Sequence, residues 1–149
     1  MPLGGEPEPL LTTEANERAP RFSPDGRYLA YLSDESEFSE LHVVSYPDLR
    51  NKWTVSSGDA SRPEWAPSGR ELFYQRDGHL MVVDVRAEPS FTAGAPRVLL
   101  DARQLTSYGG SYDVSPDGER FLFSDNLTTS MSLVVILNWT KELKRLVPI

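Results

Sequence analysis

The sequence predicts an all-β protein, and within that class a β-propeller of three four-stranded blades. Three observations predict it. The first is a repeat. "FSPDGRYLAYLSD" from Phe22, "WAPSGRELFYQRD" from Trp65 and "VSPDGERFLFSDN" from Val114 align without gaps on Gly26, Gly69 and Gly118, at spacings of 43 and 49 residues. A period in the forties is that of a blade built from four strands. The second is composition along each unit: short runs of aromatic and β-branched residues punctuated by Pro, Asp and Gly. The third is the lack of an amphipathic helical pattern, apart from the last turn "TKELKRLV", where Thr140 is a candidate cap and Leu143 and Leu146 share a face.

Each unit reads the same way. A first strand, "RAPRFS", "SRPEWA" or "GSYDVS", leads into the turn "SPDG", "APSG" or "SPDG". Pro24, Pro67 and Pro116 pre-set φ at the first turn position. Asp25, Ser68 and Asp117 bond their own backbone, and Gly26, Gly69 and Gly118 take positive φ. The second strand is "RYLAYLS", "ELFYQR" or "RFLFSD". The third is "ELHVVSY", "HLMVVDV" or "SLVVILNW", whose near-continuous apolar runs suit a sheet covered on both faces. The fourth strand is "KWTVS" in the first unit and "RVLLD" in the second. Hairpins fall at "SDESEFSE", "RDGH" and "SDNLTTS", the Asp-Gly of "RDGH" being the signal of a tight turn. The stretch "RAEPSFTAGAP", 86–96, reads as a longer excursion between third and fourth strands. The chain thus divides into blades over 17–58, 60–103 and 109–139, with a tail over 140–149.

The third unit has no fourth strand, whereas the spare segment "EPLLTT", 8–13, precedes the first unit. Three blades do not close a ring, since propellers use about 4–8, and an open half-ring leaves two apolar faces bare. The expectation is a homodimer closing a six-bladed ring, or the end of a longer polypeptide. In the dimer, 8–13 of one copy completes the last blade of the other. Leu10 and Leu11 are then the contact residues, and Val134, Val135 and Ile136 lie in the strand they complete.

Composition bounds the function. The chain has 149 residues, enough for one domain with a real core; 39% are hydrophobic and 25% charged. A net charge of −7 argues against a nucleic-acid groove or an anionic membrane surface, and the basic cluster Lys141, Lys144 and Arg145 does not offset it. There is no cysteine, hence no disulfide framework, thiolate metal site or thiol nucleophile. "MPLGGEPEPLL" is not a signal peptide, and the longest apolar run, 133–137, is far short of a membrane span.

The sequence "FSPDGRYLAYLSDES" resembles the TolB-like, WD40-like β-propeller repeat. The order of "ANERAPRFSPDGRYLAYLSDES", "WTVSSGDASRPEWAPSGRELFY", "GHLMVVDV", "FTAGAPRVLL", "YDVSPDGERFLF" and the terminal "VVILNWTKELKRLVP" is similar to the C-terminal half of the propeller carried by many bacterial serine/threonine protein kinases. Glu37 stands where that family usually has glycine. Gly-rich, HRD and DFG kinase motifs are absent from the chain. The resemblance implies a sensor or interaction module, extracytoplasmic if cut from a membrane-anchored kinase and otherwise cytoplasmic.

No stretch carries a strong catalytic signature. "TSYGGSY", 106–112, has the Ser-Tyr-Gly-Gly of prolyl-oligopeptidase-type nucleophile elbows, but Leu105 stands where the elbow needs glycine. His42 lies in a third strand and His79 at a hairpin exit, without paired-ligand spacing, so neither a metal nor a cofactor is expected. Asp25 and Asp117 read as turn residues rather than calcium ligands, since Ser68 replaces the acid in the second copy. The sequons at Asn126 and Asn138 have meaning only in a eukaryotic secretory route. The mouth of the propeller channel, at the starts of the first strands, offers Arg18, Arg62 and Ser111, with Arg21, Glu64 and Asp113 deeper. These six are the candidate binding residues for a protein, peptide or small ligand. The alternatives are a propeller enzyme of lyase or hydrolase type with its site at that mouth, and a structural half-propeller without ligand.

Overall fold

A computed structural model of the chain describes residues 5–103, 111–125 and 132–137. Twelve strands form three successive antiparallel sheets, and no helix occurs among the described residues. Sheet one is a meander of β1 (Glu17–Phe22), β2 (Tyr28–Ser33), β3 (Glu40–Ser45) and β4 (Lys52–Thr54). Sheet two holds β5 (Ser61–Trp65), β6 (Glu71–Arg76) and β7 (His79–Arg86), with β8 (Thr92–Ala93) and β9 (Arg97–Asp101) both paired to β7. Sheet three holds β10 (Tyr112–Val114), β11 (Arg120–Asp125) and β12 (Ser132–Leu137).

The turn chemistry explains why the first hairpin of each sheet forms. Gly26, Gly69 and Gly118 have φ of 71°, 67° and 72°, where a side chain would be strained. Their amides donate to Ser23, Ala66 and Ser115 carbonyls at 2.9, 2.9 and 2.8 Å. In the first copy the Ser23 hydroxyl donates to Asp25 at 2.6 Å while accepting from the Tyr28 amide at 3.0 Å. That hydroxyl, with Arg27 behind it, lowers the Asp25 carboxyl to about 2. Ser115, Asp117 and Arg120 repeat the arrangement in the third copy. The second copy lacks both groups and keeps only the Ser68 hydroxyl, which accepts from the Arg70 amide at 3.2 Å. No atom lies within 4 Å of a Cβ built on Gly26, so its replacement costs backbone strain alone. Gly26→Val is expected to lower unfolding free energy by at least about 1 kcal/mol, read as a urea-midpoint shift.

The core lies between the sheets. Pleating sends alternate side chains to opposite faces. Ala30, Leu32, Leu41 and Val43 of sheet one meet Trp65, Leu72, Tyr74, Met81 and Val83 of sheet two. The other face of sheet two, Phe73, Leu80 and Val82, meets Tyr112, Phe121 and Phe123 of sheet three. Strands buried on both faces read as unbroken apolar runs, which is why β3 and β7 look as they do.

The structure adds detail at three places to the pattern read in the sequence. Glu8–Thr13 forms no strand within the chain; Leu11 instead packs with Leu29, Tyr31, Val44 and Leu49 on the outer face of sheet one. A strand needs an edge to pair with, and this segment pairs with none among the described residues. The 86–96 excursion contains the short β8 and folds back on sheet one, the Phe91 ring lying 5.0 Å from Tyr28 and 4.7 Å from Trp53. Asp77 and Gly78 both take positive φ, 50° and 74°, as a tight two-residue hairpin requires. The last-turn residues Thr140, Leu143 and Leu146, the tail over 140–149 and both sequon asparagines lie outside the described residues, as do Leu105 and most of "TSYGGSY".

Candidate functional site

The six residues expected at the channel mouth come from β1, β5 and β10 and their flanks. In β1 the register shifts between Arg18 and Arg21, and in β5 between Ser61 and Glu64. Ala19 and Arg62, equivalent by the 43-residue offset, take φ of 51° and 50° at these bulges. A bulge bends a strand and re-aims its side chains. Nothing in the residue types Ala and Arg asks for left-handed backbone, so these bulges were not legible beforehand.

The structure engages these residues with neighbours, Arg21 and Glu64 with each other. Arg21 Nε donates to Glu64 Oε1 at 2.7 Å, joining equivalent positions of neighbouring repeats. Arg18 donates to Ser39 Oγ at 2.7 Å and Arg62 to Gln75 Oε1 at 3.0 Å. The Asp113 carboxylate accepts from the Val114 amide at 2.9 Å, and the Ser111 amide donates to Ser124 Oγ at 2.9 Å. Two aromatic hooks bind sheet to sheet: Trp65 Nε1 donates to the Arg21 carbonyl at 3.1 Å and Tyr112 Oη to the Arg62 carbonyl at 2.7 Å. Burial raises the Tyr112 phenol and keeps it a donor. An exposed pair such as Arg21–Glu64 adds at most about 1 kcal/mol; its main effect is to set the approach of two sheets.

A cleft of about 890 Å³ opens at the turns of the first two repeats, with Asp25, Trp65, Arg70, Glu71, Asp84 and Glu88 among its walls. Several of its charges are also paired: Arg97 reaches Asp84 at 3.1 Å and Glu71 at 3.8 Å, and Arg27 reaches Glu88 at 2.5 Å. Burial raises the Glu71 carboxyl, against the pull of Arg97.

A polar group to which the sequence reading gave no role lies on the outer face of sheet one. His42 is 4% exposed, its ring 5.7 Å from that of Tyr31 and its Nδ1 3.2 Å from Thr54 Oγ1. Lys52 pairs with Glu35 beside it. The signal was present in the repeat. Tyr31 faces His42 in sheet one as Tyr74 faces Met81 in sheet two, so a histidine occupies a position that its neighbour fills with an apolar residue. Among the described residues no three His, Asp or Glu side chains gather to hold a metal ion, and no helix is long and apolar enough to cross a membrane.

No family model matches the chain. A curated relative, the uncharacterized peptidase YuxL of Bacillus subtilis (strain 168), is 26% identical over 160 residues, which span 80% of this chain and 23% of that protein. Solved structures match more broadly. TolB from Acinetobacter baumannii superposes with a TM-score of 0.67 at 15% identity, covering 90% of this chain and 33% of that one. Oligogalacturonate lyase from Vibrio parahaemolyticus gives 0.64 at 16%, covering 88% and 40%. TolB from Agrobacterium tumefaciens, described as putative, gives 0.57 at 17%, covering 85% and 47%. The chain has the TolB-like β-propeller fold, and it spans under half the length of each of these proteins.

Proposed function

We propose that this chain is a non-catalytic propeller module for protein association, three blades forming half of a six-bladed ring that a second copy closes. One comparison carries the reading. Leu133 and Val135 of β12 sit at the register positions of Leu41 and Val43 in sheet one and of Leu80 and Val82 in sheet two. Those four are fully buried between sheets, whereas Leu133 is 71% and Val135 53% exposed. At the opposite end, Phe22 corresponds to Trp65; Trp65 is 8% exposed and Phe22 54%. The two end faces are therefore the two complementary halves of an inter-sheet interface, and the end of one copy fits the beginning of another.

The same reading includes a strand exchange. Leu11 already lies over Val44 and Leu49 on the outer face of sheet one, the face a preceding blade would cover. Residues 8–13 of one copy then complete sheet three of the other, alongside Val134, Val135 and Ile136. The side chains of Val134 and Ile136 are outside the described residues. Two such exchanges per ring add backbone hydrogen bonds to the apolar burial of the two end faces.

The sensor role implied by the kinase-propeller resemblance belongs to this reading, with the closed channel mouth at Arg18, Arg21, Arg62, Glu64, Ser111 and Asp113 as its ligand-facing end. Light scattering tests it: the intact chain is expected at twice its monomer mass at micromolar concentration, and deletion of residues 1–13 is expected to weaken that dimer or cause aggregation through an open strand edge. A well-behaved monomer refutes self-closure and leaves the end of a longer polypeptide as the source of the missing blades. A turnover abolished by substituting Arg18, Arg62 and Asp113 would instead establish an enzyme.

A further inference from the structure

We infer that Arg21 of one copy bridges its own Glu64 and the partner's Asp113, and that this pair fixes the seam between two copies. The inference rests on the ring closure proposed above and names the residues that make that closure specific. The repeat supplies the geometry. Arg21, Glu64 and Asp113 occupy equivalent positions, at offsets of 43 and 49 residues. Arg21 Nε reaches Glu64 Oε1 at 2.7 Å, so equivalent positions of neighbouring sheets lie within ion-pair reach. In a closed ring the sheet on the other side of Arg21 is the third sheet of the second copy, whose equivalent residue is Asp113.

Both groups have capacity left for the pair. A guanidinium carries five N–H donors in a fixed fork. Arg21 commits Nε to Glu64 and Nη1 to the Pro20 carbonyl at 3.0 Å. Its Nη2 has no partner among the described residues, and its side chain is 45% exposed. Asp113 is exposed on β10 and accepts from the Val114 amide. It forms no ion pair among the described residues. Within the chain its equivalent neighbour is Glu64, another carboxylate. A second copy presents an arginine to its other side.

The hydrogen-bonded hooks of the internal seams have no counterpart here. Trp65 and Tyr112 each donate to a carbonyl of the preceding sheet. The equivalent residues of sheet one are Phe22 and Pro20, whose side chains carry no donor. Apolar end faces give the seam its area, whereas complementary charges fix register and partner. Under two-fold symmetry the Arg21–Asp113 pair forms twice per ring.

Charge reversal tests the inference. Sedimentation over a dilution series gives the dissociation constant, and urea unfolding gives the stability of each chain. Asp113→Asn is expected to weaken the dimer about tenfold, the combined effect of two exposed pairs. It should also make the dissociation constant less sensitive to NaCl, which a purely structural role would not do. Asp113→Arg is expected to weaken the dimer further, because like charges then meet at both seams. Its unfolding midpoint as a dissociated chain should not fall, since the introduced cation lies beside Glu64. Combining Arg21→Glu with Asp113→Arg in one chain restores opposite charges across the seam and is expected to recover most of the wild-type affinity. Where Asp113→Arg does not fold, Asp113→Asn carries the test through affinity and salt dependence. A wild-type chain that stays monomeric overturns ring closure and this pair with it. A wild-type dimer whose affinity and salt dependence survive Asp113→Asn unchanged overturns the pair alone and leaves closure standing. So does a double variant that binds no better than Asp113→Arg.

Discussion

Phe73→Ala is expected to destabilise the chain by about 3–5 kcal/mol. Phe73 is fully buried on the face of sheet two that meets sheet three. Its ring stands edge-on to Phe121, with centroids 5.0 Å apart and planes at 89°. Leu80, Val82, Tyr112 and Phe123 complete the same cluster. Truncation removes the transfer free energy of the ring and leaves a void bounded by two sheets. Neither can collapse without breaking its own ladder of backbone hydrogen bonds. The loss is a large share of the roughly 5–15 kcal/mol that holds an ordinary domain together. Phe38→Ala is the control. Phe38 is half exposed on the β2–β3 loop, and its truncation is expected to cost no more than about 0.5 kcal/mol. Urea unfolding of both variants measures the contrast, and a Phe73→Ala loss no larger than that of Phe38→Ala would mean that sheets two and three do not share this core.

If two copies close the ring as proposed, charge placed on either end face is expected to dissociate that dimer while leaving the monomer folded. Phe22 stacks edge-on with Tyr46 at 4.9 Å, and both are exposed in the single chain. Leu133 and Val135 are exposed on the other end. Phe22→Glu and Leu133→Glu should each raise the dissociation constant by about a hundredfold or more, because an apolar anchor is lost and a carboxylate must be desolvated at the centre of an interface. As surface substitutions in the monomer they should change its stability by within about 0.5 kcal/mol. A closed two-fold ring adds a second signature. Mixing the two variants gives a pair in which one interface carries both substitutions and the other carries none. Partial association should therefore return on mixing. Sedimentation of each variant and of the mixture reads this directly, and a dimer unaffected by both substitutions would place the association surface elsewhere.

The sequence by itself determined the turns and the strands. Pro, Asp and Gly at the start of each repeat act over four residues, through φ restriction and bonds from a side chain to its own backbone. Their effect is complete before any tertiary contact exists, and Gly26, Gly69 and Gly118 accordingly share one left-handed conformation. Short apolar runs rich in aromatic and β-branched residues, bounded by turn residues, likewise assign β2, β3, β6 and β7. The gapless repeat gave the offsets that make residues of different sheets comparable.

Tertiary structure decided everything that depends on what lies across a sheet. Leu41, Leu80 and Leu133 are the same residue type at the same register position, yet two are fully buried and one is 71% exposed. Side-chain chemistry cannot distinguish them; the presence of a neighbouring sheet does. The Arg21–Glu64 pair and the Trp65 and Tyr112 hooks join residues more than 40 positions apart in the chain, beyond the reach of any local pattern. His42 shows the same limit from the polar side. In the sequence it is one histidine in an apolar strand, without a neighbour that explains it. Folding of β2 and β4 beside it brings Tyr31, Lys52 and Thr54 to its face and leaves one nitrogen buried without a partner. Burial and pairing are properties of the assembled sheets, and so the end faces and the burial of His42 became visible only there.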